Sequence, residues 1–362
     1  KNGASFISIP QDVISSPVKA DAISLCQKPH LGVPSEQEIN EVIEAIKNSK
    51  FPVLLAGMRS SSQAETEAIR RLVQKTNLPV VETFQGAGVI SRELENHFFG
   101  RVGLFRNQVG DELLRKSDLV ITIGYDPIEY EASNWNKELD TKIINVDEEH
   151  AEITNYMQPV KELIGNIAGT IDMISEHVNE PFINQNHLDE LEKLRGEIIE
   201  ATGIKATHKE GVMHPVEIIE TMQKVLTDDT TVTVDVGSHY IWMARKYRSY
   251  NPRHLLFSNG MQTLGVALPW AISAALVRPN TQVVSVAGDG GFLFSGQELE
   301  TAVRKNLNII QLIWNDGKYN MVEFQEEMKY KRSAGVEFGP VDYVKYAESF
   351  GAKGLRVTNQ EE

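Results

Sequence analysis

Short apolar segments alternate with amphipathic segments over most of the chain. Between residues 33 and 178 the apolar segments are continuous, which is typical of strands buried on both faces of a parallel sheet. In the intervening segments apolar residues recur every three or four positions, which predicts helices. The predicted strands are 52–56, 79–82, 119–124 and 142–146, and the predicted helices are 36–47, 62–75, 109–116 and 164–174.

A second series with the same alternation follows from about residue 206. Its predicted strands are 230–234, 254–257, 282–286, 308–313 and 354–357, and its predicted helices are 215–226, 241–247, 265–276, 297–304 and 341–350. Strands that alternate with helices indicate a parallel sheet with helices on both faces. We therefore expect an α/β fold with two doubly wound parallel-sheet domains.

The segments outside the two series suggest the domain boundaries. Residues 4–10 (ASFISIP) have the pattern of a short buried strand, and residues 15–35 are rich in Ser, Pro, Lys and Gly, which is typical of a linker. Since a strand needs a neighbour to pair with, we expect residues of another domain before the first residue. The predicted domains are the end of that preceding domain with its linker (1–32), a central domain (33–178), a charged connector (179–205) and a second α/β domain that is incomplete at its C-terminus (206–362).

The composition excludes several classes of protein. With 36 Lys and Arg against 50 Asp and Glu the formal net charge is −14, which argues against a nucleic-acid partner. The longest apolar run, 265–277, is shorter than the roughly 20 residues of a membrane helix and contains Pro269, so no membrane association is expected. Cys26 is the only cysteine, which excludes an internal disulfide and favours a reducing, cytoplasmic location.

Glycines flank an acidic residue directly after a predicted strand, in Gly288-Asp289-Gly290-Gly291. Such a turn by itself is also typical of an ordinary tight loop. However, Asn315-Asp316 follow the next strand, and the separation of the two aspartates, 316 − 289 = 27 residues, is about one strand–helix–strand crossover. A right-handed crossover brings both carboxylates to one edge of the sheet. With a backbone carbonyl and two diphosphate oxygens, they would nearly complete the octahedral oxygen shell of Mg²⁺.

These motifs resemble the thiamin diphosphate and Mg²⁺ motif of thiamin-dependent enzymes. The segments 235–245, 257–276 and 319–343 further resemble acetolactate synthase, specifically its catabolic, pyruvate-specific branch. The resemblance covers the whole chain. It implies that residues 1–32 end a pyrimidine-binding domain, that 33–178 are the central domain, and that the diphosphate-binding domain begins at about residue 206.

The resemblance also implies roles for individual residues. The metal ligands would be Asp289, Asp316 and the carbonyl of Lys318, a position at which the family usually has glycine. Leu264 would support thiamin in a bent shape, and the backbone of Gln262 would bind its amino group. Gln325 stands where the biosynthetic branch has Trp, which implies pyruvate as both substrates. The full cofactor set would be Gly237, Ser238, His239, Gln262, Leu264, Gly288, Gly290, Gly291, Tyr319 and Asn320.

The implied reaction joins two pyruvate molecules into 2-acetolactate and CO₂ through a thiamin-bound hydroxyethyl carbanion, or enamine. In the family a glutamate of the pyrimidine domain activates the cofactor, and that domain would precede Lys1. No catalytic residue is therefore assigned within this chain, and we expect the chain alone to be inactive. Family members share active sites between subunits, which implies a homodimer or homotetramer.

The sequence argues against FAD and leaves two alternative functions open. The glycine segments 85–88 and 103–107 follow predicted strands at positions where biosynthetic relatives hold FAD, but their pattern favours structural turns, and no FAD is expected. Another 2-oxo acid enzyme, such as a pyruvate oxidase or decarboxylase, would have the same scaffold. A non-catalytic nucleotide-binding or oligomerisation module would instead bind ADP or FAD and not thiamin diphosphate.

Overall fold

The computed structural model describes residues 6–19, 30–105, 108–183, 185–202, 212–359 and 362. The chain divides into two compact units, residues 1–31 and 32–362. In the first unit, helix α1 (Gln11–Ile14) follows an irregular segment in which Phe6 is 92% exposed. The prediction of a buried strand is thus wrong for residues 6–10, because no described strand pairs with them. Residues 1–5 and Cys26 lie outside the described residues.

The first series of elements forms a six-stranded sheet in which all neighbouring strands are parallel. The strand order is β3-β2-β1-β4-β5-β6. The strands are β1 (Pro52–Ala56), β2 (Val80–Thr83), β3 (Phe98–Val102), β4 (Leu119–Ile123), β5 (Lys142–Asp147) and β6 (Lys161–Ile164), and the helices are α2 (Glu36–Lys47), α3 (Gln63–Thr76), α4 (Val109–Lys116), α5 (Ile167–His177) and α6 (Gln185–Thr202).

The sequence pattern missed two strands of this sheet, β3 and β6, which are its two edges. Both contain charged residues, Arg101 in β3 and Lys161 and Glu162 in β6, so neither forms a continuous apolar segment. The inner strands β1 and β4 are buried at every position, which is the pattern that the prediction relied on.

The second series forms a four-stranded parallel sheet with the order β10-β9-β7-β8. Its strands are β7 (Thr231–Val234), β8 (Leu255–Phe257), β9 (Val283–Gly288) and β10 (Ile309–Trp314), and its helices are α7 (Pro215–Val225), α8 (Ser238–Lys246), α9 (Ala267–Val277), α10 (Asp289–Ser295), α11 (Leu299–Arg304), α12 (Asn320–Tyr330) and α13 (Tyr343–Ser349). The predicted fold class, two doubly wound parallel sheets, is confirmed.

Three further elements differ from the prediction. Residues 354–357 form no strand, and Leu355 is 73% exposed. Helix α10 was missed because two of its residues are glycines, which are poor helix formers. Helix α12 was missed because it has no buried face, so its sequence lacks the periodic apolar pattern.

The two sheets share an apolar contact. Phe84, from the loop after β2, packs against Tyr240 of α8 with ring centroids 5.4 Å apart, and Tyr240 contacts Phe257 of β8 at 5.1 Å. Beside this contact, the buried Arg101 is paired with Glu82 at 3.1 Å. The Arg101 guanidinium also donates to the carbonyl groups that end helix α8, including that of Tyr247 at 2.7 Å.

None of the described helices is both long and apolar enough to cross a membrane.

Candidate active site

Each sheet contains one position at which the chain reverses its direction of travel across the strands. In the four-stranded sheet, β8 lies on one side of β7 whereas β9 and β10 lie on the other. Ligands of open α/β sheets bind in the crevice at the carboxyl ends of the strands at such a reversal. The residues that follow β7, β9 and the neighbouring β10 include most of the predicted cofactor and metal residues. We refer to this position as the β7/β9 crevice.

The loops after β9 and β10 bring the two predicted metal carboxylates to one edge. The strands are paired in parallel up to Trp314 and Gly288, as the spacing of the motifs predicts. The Asp289 side chain is buried, and its Oδ1 and Oδ2 accept the N–H groups of Gly290 at 2.8 Å and Gly317 at 2.6 Å. Partial burial and the nearby Asp289 carboxylate raise the pKa of Asp316 above its usual value. Because Gly317, whose N–H binds Asp289, directly follows Asp316, the two aspartates are neighbours at this edge.

Lys318 lies in the same turn. Its carbonyl accepts the N–H of Asn320 at 3.0 Å, and its ammonium group pairs with Glu323 at 2.6 Å. The preceding Gly317 has φ +77°, a left-handed conformation that favours glycine. No cluster of three His, Cys, Asp or Glu side chains suited to a metal occurs in the described part of the chain. A metal at this edge would thus need oxygen atoms besides the two carboxylates.

His239 lies at the start of α8, next to two of the predicted cofactor glycines. A Cβ atom on Gly288 would be 3.3 Å from its ring, and one on Gly237 would be 2.8 Å from it. The side chain is buried, and among the described residues its Nε2 atom has no hydrogen-bond partner. Burial lowers the pKa of His239 to about 4, so the ring is neutral at pH 7. A buried, unpaired ring nitrogen beside glycines fits a site for a polar ligand.

Gly290 and Gly291 are also enclosed by the protein itself. A Cβ atom on Gly290 would lie 2.6 Å from the ring of Tyr319, and one on Gly291 would lie 2.7 Å from Oδ1 of Asp235. Tyr319 is held in turn by an edge-to-face contact with Phe338, with ring centroids 4.4 Å apart. Glycine is therefore required at both positions by packing, independently of any ligand.

The loops after β7 and β10 are linked directly. Ser238 donates its hydroxyl to Oδ1 of Asn320 at 2.5 Å, which joins the start of α8 to the start of α12. Gln325 lies further along α12, where its side chain is exposed. The structure thus brings Ser238 and Asn320 together and leaves Gln325 at the periphery of the candidate site.

Gln262 and Leu264 lie between β8 and α9, in a segment that we call the 258–266 loop. The side chain of Gln262 is exposed and that of Leu264 is half-buried. Asp235, which directly follows β7, accepts the N–H groups of Gly265 and Ala267 at 3.0 Å each. The sequence prediction missed Asp235, although an acidic residue directly after an apolar strand was a usable signal. It is buried and holds the end of the loop to the crevice.

The reversal in the six-stranded sheet lies between β1 and β4, and its groups are paired within the chain. The carboxylate of the buried Glu129 accepts the N–H of Met58 at 2.9 Å, the N–H of Gln85 at 3.0 Å and the hydroxyl of Thr83 at 3.0 Å. Arg59 pairs with Asp147 at 2.7 Å. This position, the β1/β4 crevice, adjoins the first of the two glycine segments considered for FAD. Residues 106 and 107 of the second segment lie outside the described residues.

Two protein-family models match the chain. The model described as the central domain of thiamine pyrophosphate (thiamin diphosphate) enzymes matches residues 39–174, which include all strands of the six-stranded sheet. The model described as the C-terminal TPP-binding domain matches residues 235–362, which include both loops with the predicted metal ligands. The chain therefore belongs to the thiamine pyrophosphate enzyme family.

Relatives named acetolactate synthase match nearly the whole chain. That of Bacillus subtilis (strain 168) is 48% identical over 360 residues, which are 99% of this chain and 63% of the relative. The catabolic acetolactate synthase of Raoultella terrigena is 41% identical over 363 residues, 99% of this chain and 64% of the relative. The acetolactate synthase large subunit of Haemophilus influenzae is 25% identical over 90% of this chain and 57% of the relative. The resemblance inferred from the sequence is confirmed, and the chain spans less than two thirds of the length of these relatives.

Proposed function

We propose that the protein with this chain is an acetolactate synthase that condenses two pyruvate molecules to 2-acetolactate with release of CO₂. The observation that carries the proposal is the match of 99% of the chain to two relatives of that name, one of them described as catabolic. The arrangement of the β7/β9 crevice supports it, because the crevice combines a pair of carboxylates with glycines and a buried histidine whose Nε2 has no partner in the described part of the chain.

Mg²⁺ would be held by Asp289, Asp316 and the carbonyl of Lys318. Oxygen ligands in octahedral geometry are what Mg²⁺ requires, and the oxygens of a diphosphate would supply further positions. The Lys318 carbonyl already accepts one hydrogen bond, from Asn320, but a carbonyl oxygen has a second lone pair available. The positive charge of the metal would also offset the repulsion between the two carboxylates and the diphosphate.

The diphosphate would bind to residues from the loops after β7, β9 and β10. The neutral ring of His239, which lies beside Gly288, would contact it. The hydroxyl of Ser238, at the start of α8, would contact it in place of Asn320, to which it donates in this structure. The remaining predicted contacts are Gly237, Gly290, Gly291, Tyr319 and Asn320.

The thiamin part would lie against the 258–266 loop, with Leu264 beneath it and the backbone of Gln262 at its amino group. When bound, thiamin diphosphate supplies the electron sink that allows a 2-oxo acid to lose CO₂. The chain's own contribution is to orient the cofactor and to hold its charged end in place. Gln325 would contact pyruvate.

We also propose that the six-stranded sheet holds no FAD. The hydrogen bonds of Glu129 support this, because the N–H groups of Met58 and Gln85, which follow β1 and β2, already have a carboxylate partner and are not free to bind a dinucleotide phosphate. Residues 33–178 and 206–362 would form separate domains.

The protein would be a cytoplasmic homo-oligomer, a dimer or tetramer with shared active sites. Exposed apolar side chains on elements that border the β7/β9 crevice support an interface there, because such patches mark protein contacts. They include Met261, Phe294 and Phe324. Sedimentation analysis of the purified protein measures its oligomeric state.

The decisive experiment uses the complete polypeptide encoded by the gene that contains this sequence. Incubation with pyruvate, Mg²⁺ and thiamin diphosphate should yield 2-acetolactate and CO₂ in a ratio of one to one. Acetaldehyde as the main product would instead identify a decarboxylase, and acetyl phosphate an oxidase. Binding of ADP or FAD without Mg²⁺-dependent binding of thiamin diphosphate would contradict an enzymatic role.

A further inference from the structure

We propose that Asn259 is a positioning residue that holds the 258–266 loop against the β1/β4 crevice and thereby sets the positions of Leu264 and Gln262. The inference rests on the proposed function, because it concerns the loop that would contact the thiamin part of the cofactor. It assigns the six-stranded sheet an indirect role in a site that lies on the other sheet.

Asn259 is hydrogen-bonded to three different parts of the chain. Its side-chain Nδ2 donates to the carbonyl of Glu129 at 3.1 Å, and its Oδ1 accepts the hydroxyl of Tyr240 at 2.9 Å. Its own main-chain carbonyl accepts Nε2 of Gln85 at 3.3 Å. Both ends of the amide are thus used, so the side chain and backbone of Asn259 are fixed together.

The partner groups are themselves held in place. The Glu129 carboxylate accepts three hydrogen bonds from the loops after β1 and β2 and is buried, so the carbonyl of this residue has little freedom to move. Tyr240 is buried between Phe84 and Phe257. Asn259 therefore joins the 258–266 loop of the candidate site to the packed contact between the two sheets.

The 258–266 loop needs such an anchor because of its backbone. Gly260, Gln262 and Gly265 have φ values of +91°, +49° and +79°. A left-handed conformation is unfavourable for a glutamine and persists where the surroundings hold it. Asp235 holds the C-terminal end of the loop through the N–H of Gly265, and Asn259 holds the N-terminal end. Between these two points the side chain of Gln262 is exposed, and the N–H of Thr263 donates to the hydroxyl of Ser258 at 3.2 Å, which connects the middle of the loop to its N-terminal end.

The test compares two ligands on the complete polypeptide. Calorimetry measures the binding of thiamin diphosphate and of inorganic diphosphate, each with Mg²⁺, to the wild type and to Asn259→Ala. We expect the variant to bind thiamin diphosphate about tenfold more weakly, because the thiamin part depends on the loop. Inorganic diphosphate should bind within about twofold of the wild type, because its contacts lie on the other loops. An equal loss for both ligands, or a loss for neither, would overturn the proposal.

Two further variants provide controls. Asn251→Ala removes an asparagine whose Nδ2 atom also joins loops, through the carbonyl of Asp228 at 3.1 Å, but which lies outside the 258–266 loop, and it should leave both affinities unchanged. Tyr240→Phe removes one of the three hydrogen bonds of Asn259 without removing the ring, and we expect a loss of about threefold for thiamin diphosphate alone. This variant keeps the proposal testable if Asn259→Ala fails to fold.

A second measurement does not depend on the cofactor. Amide hydrogen exchange of the unliganded protein should be about tenfold faster at residues 260–264 in Asn259→Ala, with no change in α9. Unchanged exchange in the loop would contradict the anchoring role. If the wild type binds no thiamin diphosphate, the proposed function fails, whereas the exchange experiment still decides whether Asn259 positions the loop.

Discussion

The two crevices of this protein lie at equivalent positions of their sheets but differ in whether their polar groups are paired. In the β1/β4 crevice, Arg59 pairs with Asp147 and the Glu129 carboxylate accepts the available N–H groups. In the β7/β9 crevice, the nearby groups include a buried histidine whose Nε2 has no partner among the described residues. One crevice is closed by its own side chains, and the other retains groups that a ligand would satisfy.

The difference shows that a reversal of strand order supplies a location and not a site. Two parallel sheets offer the same edge geometry, but binding requires polar groups that the protein has left unpaired. In the β1/β4 crevice the backbone is also close-packed, since a Cβ atom on Gly124 would lie 2.5 Å from the N atom of Ser60. Under the proposed function, the six-stranded sheet would therefore serve as a support for the sheet that binds the cofactor.

The largest effect is expected from Asp289→Asn. Loss of a group that only orients a metal ligand costs about 10–100-fold in affinity, so loss of the ligand itself should cost more than about 1000-fold, or 4 kcal/mol. Calorimetry with thiamin diphosphate and Mg²⁺ measures the change. The matched control is Asp126→Asn in the β1/β4 crevice, which should bind the cofactor like the wild type. Similar losses in both variants would show that the two crevices do not differ in function.

Glu129→Gln tests the closed crevice through the pH dependence of stability. Burial raises the pKa of Glu129 from 4.5 to about 7 in the folded protein. Because its pKa is higher in the folded state, Glu129 binds its proton more tightly there than in the unfolded state. The stability that this proton contributes is therefore fully present below pH 4.5 and is lost as the pH rises through 7. The loss is at most about 3 kcal/mol.

Urea unfolding at pH 5 and pH 8 measures this contribution. The decrease in the free energy of unfolding between the two pH values should be smaller in Glu129→Gln than in the wild type, because glutamine does not titrate. Glu131→Gln, an exposed position in the same loop, is the control and should keep the wild-type dependence. An unaltered pH dependence in Glu129→Gln would mean that its carboxyl group titrates normally.

Leu264→Ala probes the apolar part of the open crevice. The substitution should remove about half of the apolar contact between the leucine side chain and the thiamin part. We therefore expect thiamin diphosphate to bind about tenfold more weakly, a loss of about 1.4 kcal/mol. Leu276→Ala in α9 removes the same atoms at a position that is 55% exposed and should have no effect on binding. Equal affinities in the two variants would place the thiamin part elsewhere.

The smallest effect is expected from Gln325→Ala. Because this side chain is exposed at the periphery, we expect a change of about threefold in KM for pyruvate and an unchanged affinity for the cofactor. Steady-state kinetics of the complete polypeptide gives both parameters. Glu327→Gln, on the same helix and exposed, serves as the comparison. A loss of cofactor affinity in Gln325→Ala would show that this residue contacts the cofactor and not the substrate.

The inner strands of both sheets could be predicted because their burial on two faces requires continuous apolar segments, as in β1 and β4. The edge strands β3 and β6 could not, because charged residues interrupt their apolar pattern. Arg101 of β3 is buried and paired with Glu82, whereas Lys161 and Glu162 of β6 are partly exposed. Residues 6–10 have a strand-like pattern but form no strand, because a strand is stabilised by hydrogen bonds to a neighbour that local sequence does not specify.

Some residues of the candidate site could likewise be predicted from the sequence, and others could not. The positions of Asp289 and Asp316 followed from their spacing, because parallel strands place their carboxyl ends at one edge. The roles of Asp235 and Asn259 could not be predicted, because each forms hydrogen bonds with a residue distant in sequence, Gly265 and Glu129 respectively.

The sequence by itself determined the fold class, the two series of strands and helices, the charged edge with its glycines, and the family. These properties depend on periodicity, spacing and local residue type. Only the tertiary structure decided which crevice has its polar groups paired, and that Nε2 of His239 has no partner among the residues described. It also decided that the 258–266 loop is bound to the six-stranded sheet through Asn259. Whether a polar group is paired depends on which parts of the chain meet it, and that is settled by packing between elements far apart in sequence.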